Sequence, residues 1–78
     1  MWEEEEHQLV RAFRFNNFME AFAFMTKVAM IAEKLNHHPD WSNNYNVVTI
    51  KLGTHEAEDT VTDKDHFFAA AIDNVYGD

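Results

Sequence analysis

The chain has no cysteine, one proline and two glycines in 78 residues. Without cysteine there is no disulfide and no thiolate metal site, and such a chain suits a reducing compartment. Two glycines are too few for a phosphate-cradling loop, and neither GxGxxG nor GxxxxGK occurs. Positive charge is scarce as well. Six lysines and arginines face fourteen acidic residues, a net charge of −8 with histidine neutral. A surface of that sign repels phosphate backbones, so no direct nucleic-acid partner is expected. No apolar run approaches the roughly 18 residues of a membrane span. The opening MWEEEEHQ has neither the basic nor the apolar region of a secretory signal. The expected location is the cytoplasm, with no membrane partner.

The length predicts one domain over residues 1–78. A domain of this size buries only about 60% of the surface its unfolded chain exposes. With disulfides excluded, oligomerisation or a metal held by histidine and carboxylate remains to supplement the core. There is no internal repeat, linker or low-complexity block. The one charge run, Glu3 to Glu6, reads as a solvated strand edge or turn.

Gln8 to Phe15 alternates, with Leu9, Arg11, Phe13 and Phe15 on one face, which predicts a strand. Trp2 and its successors form a short first strand paired through a turn near Glu6 and His7. The longest periodic segment follows. Asn17 caps it, with Glu20 three residues on as in a capping box. Phe18, Phe22, Met25, Ala29 and Ala32 make one helical stripe; Ala21, Phe24, Val28, Ile31 and Leu35 make a second. An arc this wide exceeds what one sheet face covers, so the helix is expected to pack on its sheet and also against a second subunit. Pro39 cannot continue the helix and biases His38 toward extended angles, placing the helix end near Asn36. Tyr45 to Leu52 alternates again, with Val48, Ile50 and Leu52 toward the core. This strand is read as running on to His55 or Glu56, with Gly53 a bulge candidate. Thr62 caps a last helix with Asp65 at its third position. Phe68, Ala71, Ile72 and Val75 form its buried stripe, and Gly77 ends it. The order is strand, strand, helix, strand, helix, with room for one more short strand, and the class is α+β.

Five histidines occur. His7 in a turn and His66 in a first helical turn read as solvated. His37 and His38 leave the end of the long helix, and His55 lies near the end of the following strand. Three readings stand. A histidine at a helix C-terminus caps free carbonyls and meets the dipole favourably, which explains one ring but not two beside Pro39 and Trp41. Zinc would take three nitrogens and a carboxylate, but adjacent histidines seldom aim at one ion and no HxH or HxxxH spacing is present. General acid–base catalysis needs one ring to donate a proton and another to accept one, and Trp41 could stack on a flat substrate. A dehydration asks for no more than this.

The stretch FMEAFAFMTKVAMIAEKLNHHPDWSNNYNVVTIKLGTHE resembles the pterin-4a-carbinolamine dehydratase family, also known for a dimerisation-cofactor role in animal transcription. The family pattern has an acidic residue, then His-His-Pro, an aromatic, a further histidine and an aspartate. Glu33, His37, His38, Pro39, Tyr45, His55 and Asp65 fall at those spacings. The resemblance runs from about Leu9 to the C-terminus, and Trp2 looks like the family's first-strand tryptophan. It implies an antiparallel sheet of about four strands with two helices on one face, and a homodimer through sheets or a homotetramer through the long helices. It implies removal of water from 4a-hydroxytetrahydropterin to give quinonoid dihydropterin, with no cofactor and no metal. By the same resemblance His37, His38 and His55 are the acid–base and pterin-contacting rings. Glu33 contacts or orients the site, Pro39 and Trp41 shape it, and Asp65 holds a histidine or touches substrate. Four departures stand out. The family's helix before the first strand has no counterpart here, Asn36 and Lys64 replace an acidic residue and an arginine, and the loop from His55 to Asp65 is one residue longer. The alternative is the same fold used as a non-catalytic, coactivator-like oligomeric partner.

Overall fold

In the computed structural model, which describes residues 1–55, 58 and 60–77, the two alternating segments lie side by side as the centre of a sheet. Strand β1 spans Glu3–Glu5 and β2 spans Gln8–Arg14; helix α1 follows over Phe18–Leu35. Strand β3 spans Asp40–Asn44, β4 Val47–Leu52, and helix α2 Asp63–Tyr76. All neighbours in the sheet are antiparallel, in the order β1-β2-β4-β3. The class is α+β, as the sequence predicts.

Register decides what the sheet buries. Leu9 stands opposite Leu52 and Phe13 opposite Val48, while Arg11 and Trp41 flank Ile50 on either side. Directly opposed residues point to one face. That face is covered by Ala21, Phe24, Val28 and Ala32 of α1 and by Phe68, Ala69 and Ile72 of α2, which join Leu9, Phe13, Val48, Ile50 and Leu52 in one core. Burying an aromatic or branched aliphatic side chain here contributes roughly 1.5–3 kcal/mol. Arg11 shares this face and lies at its margin. Its guanidinium sits 4.4 Å from the centre of the Phe13 ring and pairs with Asp73 at 2.7 Å. The same Asp73 oxygen accepts the Trp2 indole N–H at 2.8 Å, tying the residue before β1 to α2.

The second stripe of α1 is the core stripe; Ile31 and Leu35 are half-buried at its end. Of the first stripe only Ala32 is buried. Phe18 and Phe22 are exposed, as are Met19 (80% accessible) and Met30 (69%). The cap forms as expected, with Asn17 Oδ1 accepting from Glu20 N at 2.9 Å, but Glu20 reaches back to Asn16 N rather than to Asn17 N.

The strand read from Tyr45 begins instead at Val47, and Asp40–Asn44 forms the additional strand. Tyr45 and Asn46 are the turn between them. Tyr45 takes a left-handed conformation (φ 53°), and Asn43 Nδ2 donates to the carbonyls of Tyr45 and Val47. The polar run WSNN gives little alternation, because β3 is an edge strand with one open face. Strand β4 ends at Leu52, before His55. Gly53 follows it without a bulge; a Cβ there would stand 3.3 Å from Gln8 Cγ. Glu56, the further end read for that strand, lies outside the described residues. The β1–β2 turn falls at Glu6 and His7 as predicted, both with positive φ.

Candidate functional site

The end of α1 fixes the first histidines. Asn36 is left-handed (φ 52°), its N–H donates to Glu33 O at 3.2 Å, and His37 N donates to Ala32 O at 3.0 Å. This pair of bonds is the Schellman arrangement, which asks for glycine or asparagine at the left-handed position. Asn36 therefore has a backbone reason for its place. Pro39 then turns the chain into β3, so His37 and His38 diverge.

His37 is the more constrained ring. Its Nε2 lies 2.6 Å from Oδ1 of Asp65, a fully buried residue at the start of α2 whose carboxylate accepts the bond. The other carboxylate oxygen, Oδ2, accepts from Thr54 Oγ1 at 2.7 Å and from Thr62 N at 2.9 Å. Burial alone would push the Asp65 carboxyl pKa up. The bonds from His37, Thr54 and the Thr62 amide outweigh it and hold the pKa below the ordinary value. An ionised Asp65 only accepts, so His37 Nε2 carries the hydrogen and the neutral ring keeps its lone pair on Nδ1. His38 makes a different pairing. Its Nε2 lies 2.6 Å from Glu33 Oε2, with both side chains largely exposed. Water screens that pair, and it fixes the ring far less firmly.

His37, His38 and His55 line one cleft of about 240 Å³ with Asn36 and Gly53. A larger lobe of about 420 Å³ adjoins it, sharing His38, Gly53 and His55 and adding Glu6, Gln8, Asp40 and Lys51. On the other side His37 borders a small pocket of about 100 Å³ with Leu35, Lys64 and Phe67. The three histidines thus come together from the end of α1 and the segment after β4. Asp65 stands behind His37. Glu33 reaches the site only through His38. Trp41 does not line the histidine cleft: it packs against the core beside Ile50 and borders a groove with Asp40, Ser42, Thr49 and Lys51, of which Asp40 and Lys51 also line the larger lobe. Tyr45 lies in the far turn, exposed. Among the described residues no group of three or more histidines and carboxylates is placed to hold a metal ion. The lobe residues Glu6, Gln8, Asp40 and Lys51 escape a reading of the sequence because they converge only through strand register. Thr54 escapes it too, though its place beside His55 is a local signal.

The arrangement offers three imidazoles, one backed by a buried carboxylate, around an open cleft. It can accept a proton at one point and deliver one at another. Comparison with known proteins adds to this. The family model described as pterin 4 alpha carbinolamine dehydratase matches residues 1–75. A protein of Prochlorococcus marinus strain SARG, provisionally named a pterin-4-alpha-carbinolamine dehydratase, is 51% identical over 95% of this chain and 76% of its own length. A similarly named protein of strain AS9601 is also 51% identical, over 96% of this chain and 77% of its own. Among solved structures, a transcriptional coactivator/pterin dehydratase from Brucella melitensis superposes with a TM-score of 0.91 at 40% identity, covering 97% of this chain and 82% of that one. A pterin dehydratase-like protein identified as a RuBisCO assembly factor in the alpha-carboxysome shares the fold at a TM-score of 0.80 and 22% identity, covering 99% of this chain and 88% of that one.

Proposed function

The chain belongs to the pterin 4 alpha carbinolamine dehydratase family, and from that premise we propose that it removes water from 4a-hydroxytetrahydropterin to give quinonoid dihydropterin. The observation that carries this reading is the meeting of His37, His38 and His55 at one cleft. The reaction needs two proton movements. The carbon–oxygen bond at the 4a position breaks as the hydroxyl takes a proton and leaves as water. The adjacent ring nitrogen gives up its proton, and its electron pair forms the new carbon–nitrogen double bond.

His37 is the base in this scheme. Its free lone pair is on Nδ1, and a ring that has taken up a proton finds the fixed Asp65 carboxylate beside it. His38 or His55 supplies the proton to the hydroxyl. The proton gained equals the proton lost, so no cofactor is consumed. Glu33 steadies His38 from the solvent side. Pro39 stiffens the turn that sets the two rings apart. Trp41 braces β3 against the core rather than stacking on the pterin. The substituent of the pterin ring extends into the larger lobe, toward Glu6, Gln8, Asp40 and Lys51. A cytoplasmic setting fits the cysteine-free chain.

The test is dehydration of freshly generated 4a-hydroxypterin by wild type, His37→Ala and His55→Ala. Each variant should lose about 10²-fold or more in rate, the usual scale for an acid–base group. Wild-type protein no faster than buffer rejects the activity.

A second reading rests on the exposed Phe18, Met19, Phe22 and Met30 of α1. Apolar side chains standing together in this way mark an interaction face. We assign the face to a second copy of the chain, giving a homodimer or homotetramer. The non-catalytic alternative is the same assembly acting as a coactivator-like partner, a pairing of roles that the name of the Brucella protein also carries.

A further inference from the structure

One buried polar side chain, Thr54, touches neither the cleft nor solvent, yet connects to both parts of the site. It is 4% accessible. Its backbone N–H donates to Thr60 O at 2.8 Å, in an isolated antiparallel bridge that pins the segment beyond β4. His55 is the next residue, so that bridge sets where the His55 backbone begins. The Thr54 hydroxyl lies 2.7 Å from Asp65 Oδ2 and 2.6 Å from Thr62 Oγ1.

The direction of these bonds follows from chemistry. An ionised carboxylate only accepts, and a hydroxyl has one hydrogen to give. Thr54 therefore donates to Asp65, and Thr62 donates to Thr54. Both lone-pair directions of Oδ2 are then filled, by Thr54 and by the Thr62 amide. That leaves Oδ1 as the oxygen offered to His37. Without Thr54, Oδ2 keeps only the Thr62 amide, and the carboxylate could tilt about its last carbon–carbon bond and present Oδ1 at a poorer angle.

We propose that Thr54 is a positioning residue: its hydroxyl locks the Asp65 carboxylate so that His37 is held as the Nε2–H tautomer with Nδ1 free for substrate. Its kinetic consequence rests on the dehydratase reading; its spectroscopic consequence does not.

The experiment compares wild type with Thr54→Val and Thr54→Ser. Valine keeps the shape and loses the hydroxyl; serine keeps the hydroxyl. Nitrogen-15 shifts of the His37 ring, read above its titration range, report the tautomer directly. Wild type and Thr54→Ser should show a single Nε2–H form and Thr54→Val a mixture. In turnover, Thr54→Val should lose about tenfold in kcat with KM within twofold of wild type, and Thr54→Ser should recover most of it. Thr62→Val, which removes the hydroxyl that feeds Thr54, should fall between them. If Thr54→Val keeps the wild-type ring shifts, the inference fails, whatever the rates do. If wild type shows the Nε2–H signature, Thr54→Val disturbs it, and neither protein turns over 4a-hydroxypterin, the positioning role stands and the proposed reaction falls. Should Thr54→Val not fold, the ring shifts of Thr54→Ala, which also lacks the hydroxyl, decide in the same way.

Discussion

His37 and Asp65 stand 28 residues apart in the chain and 2.6 Å apart in space. The contact joins the end of one helix to the start of the other. Asp65 serves two purposes there. Its Oδ2 receives the Thr62 amide, as a residue in the third position of a helix does, and its Oδ1 receives the His37 ring. Helix initiation and ring orientation are a single structural event.

Replacing Asp65 with asparagine separates charge from shape. The amide oxygen can take over from Oδ2 in accepting from Thr54 and Thr62. Its NH₂ then faces His37, and a neutral ring must turn its acceptor nitrogen toward it. Lone pair and hydrogen exchange places on the imidazole. Asp65→Asn should therefore lose about 10²-fold or more in dehydration rate while keeping a wild-type far-UV circular dichroism spectrum. Activity within threefold of wild type would break the link between Asp65 and the chemistry.

Asp65 also predicts an acid dependence of stability. Its folded pKa lies below the unfolded value because the bonds from His37, Thr54 and the Thr62 amide outweigh the cost of burial. A depressed carboxyl contributes stability that is complete above the unfolded pKa, about 3.9 for aspartate. That contribution is lost as pH falls from there through the folded value. Urea melts of wild type and Asp65→Asn should show a stability gap at about pH 5 that shrinks below about 4. A gap unchanged at pH 2.5 contradicts this account.

Asn36 offers a test of the helix end. Its left-handed backbone suits glycine and asparagine, whereas a β-branched side chain there costs about 1–2 kcal/mol. Asn36→Gly should leave the melting temperature close to wild type. Asn36→Val should lower it by several degrees and reduce turnover, because His37 hangs from the same pair of bonds. Equal melting temperatures for the two variants would show that the cap is not what holds the ring.

The exposed face of α1 gives a fourth expectation. Wild type should run as a dimer or larger species in light scattering. Phe22→Glu, which places a charge in the middle of that face, should shift it toward smaller species without unfolding, since Phe22 contributes nothing to the core. A wild-type monomer refutes the assignment of this face to a second copy.

Much of this was legible in the residues. The caps at Asn17, Thr62 and Gly77 and the turn at Glu6 and His7 depend on local chemistry, and local chemistry is what a sequence displays. The core faces of β2 and β4 follow from alternation. Strand β3 was harder to read, since an edge strand of polar residues needs no apolar period. The sequence also does not tell which stripe of α1 faces the sheet; both are apolar, and only docking separates them. The three histidines could be nominated by type and by spacing, but their shared cleft depends on where β4 stops relative to the end of α1. Trp41 shows the limit most plainly. Its nearness to Pro39 suggests a stacking wall, and strand register sets it beside Ile50, off the histidine cleft.

Because His37 is fastened by its own amide to Ala32, its ring is an extension of the α1 axis rather than of a loop. His55 belongs to the sheet side of the molecule. A small roll of α1 would thus act on His37 first, against the hold of Asp65. The exposed Phe18, Met19, Phe22 and Met30 stand on that same helix, so a second copy docked there would bear directly on the position of His37.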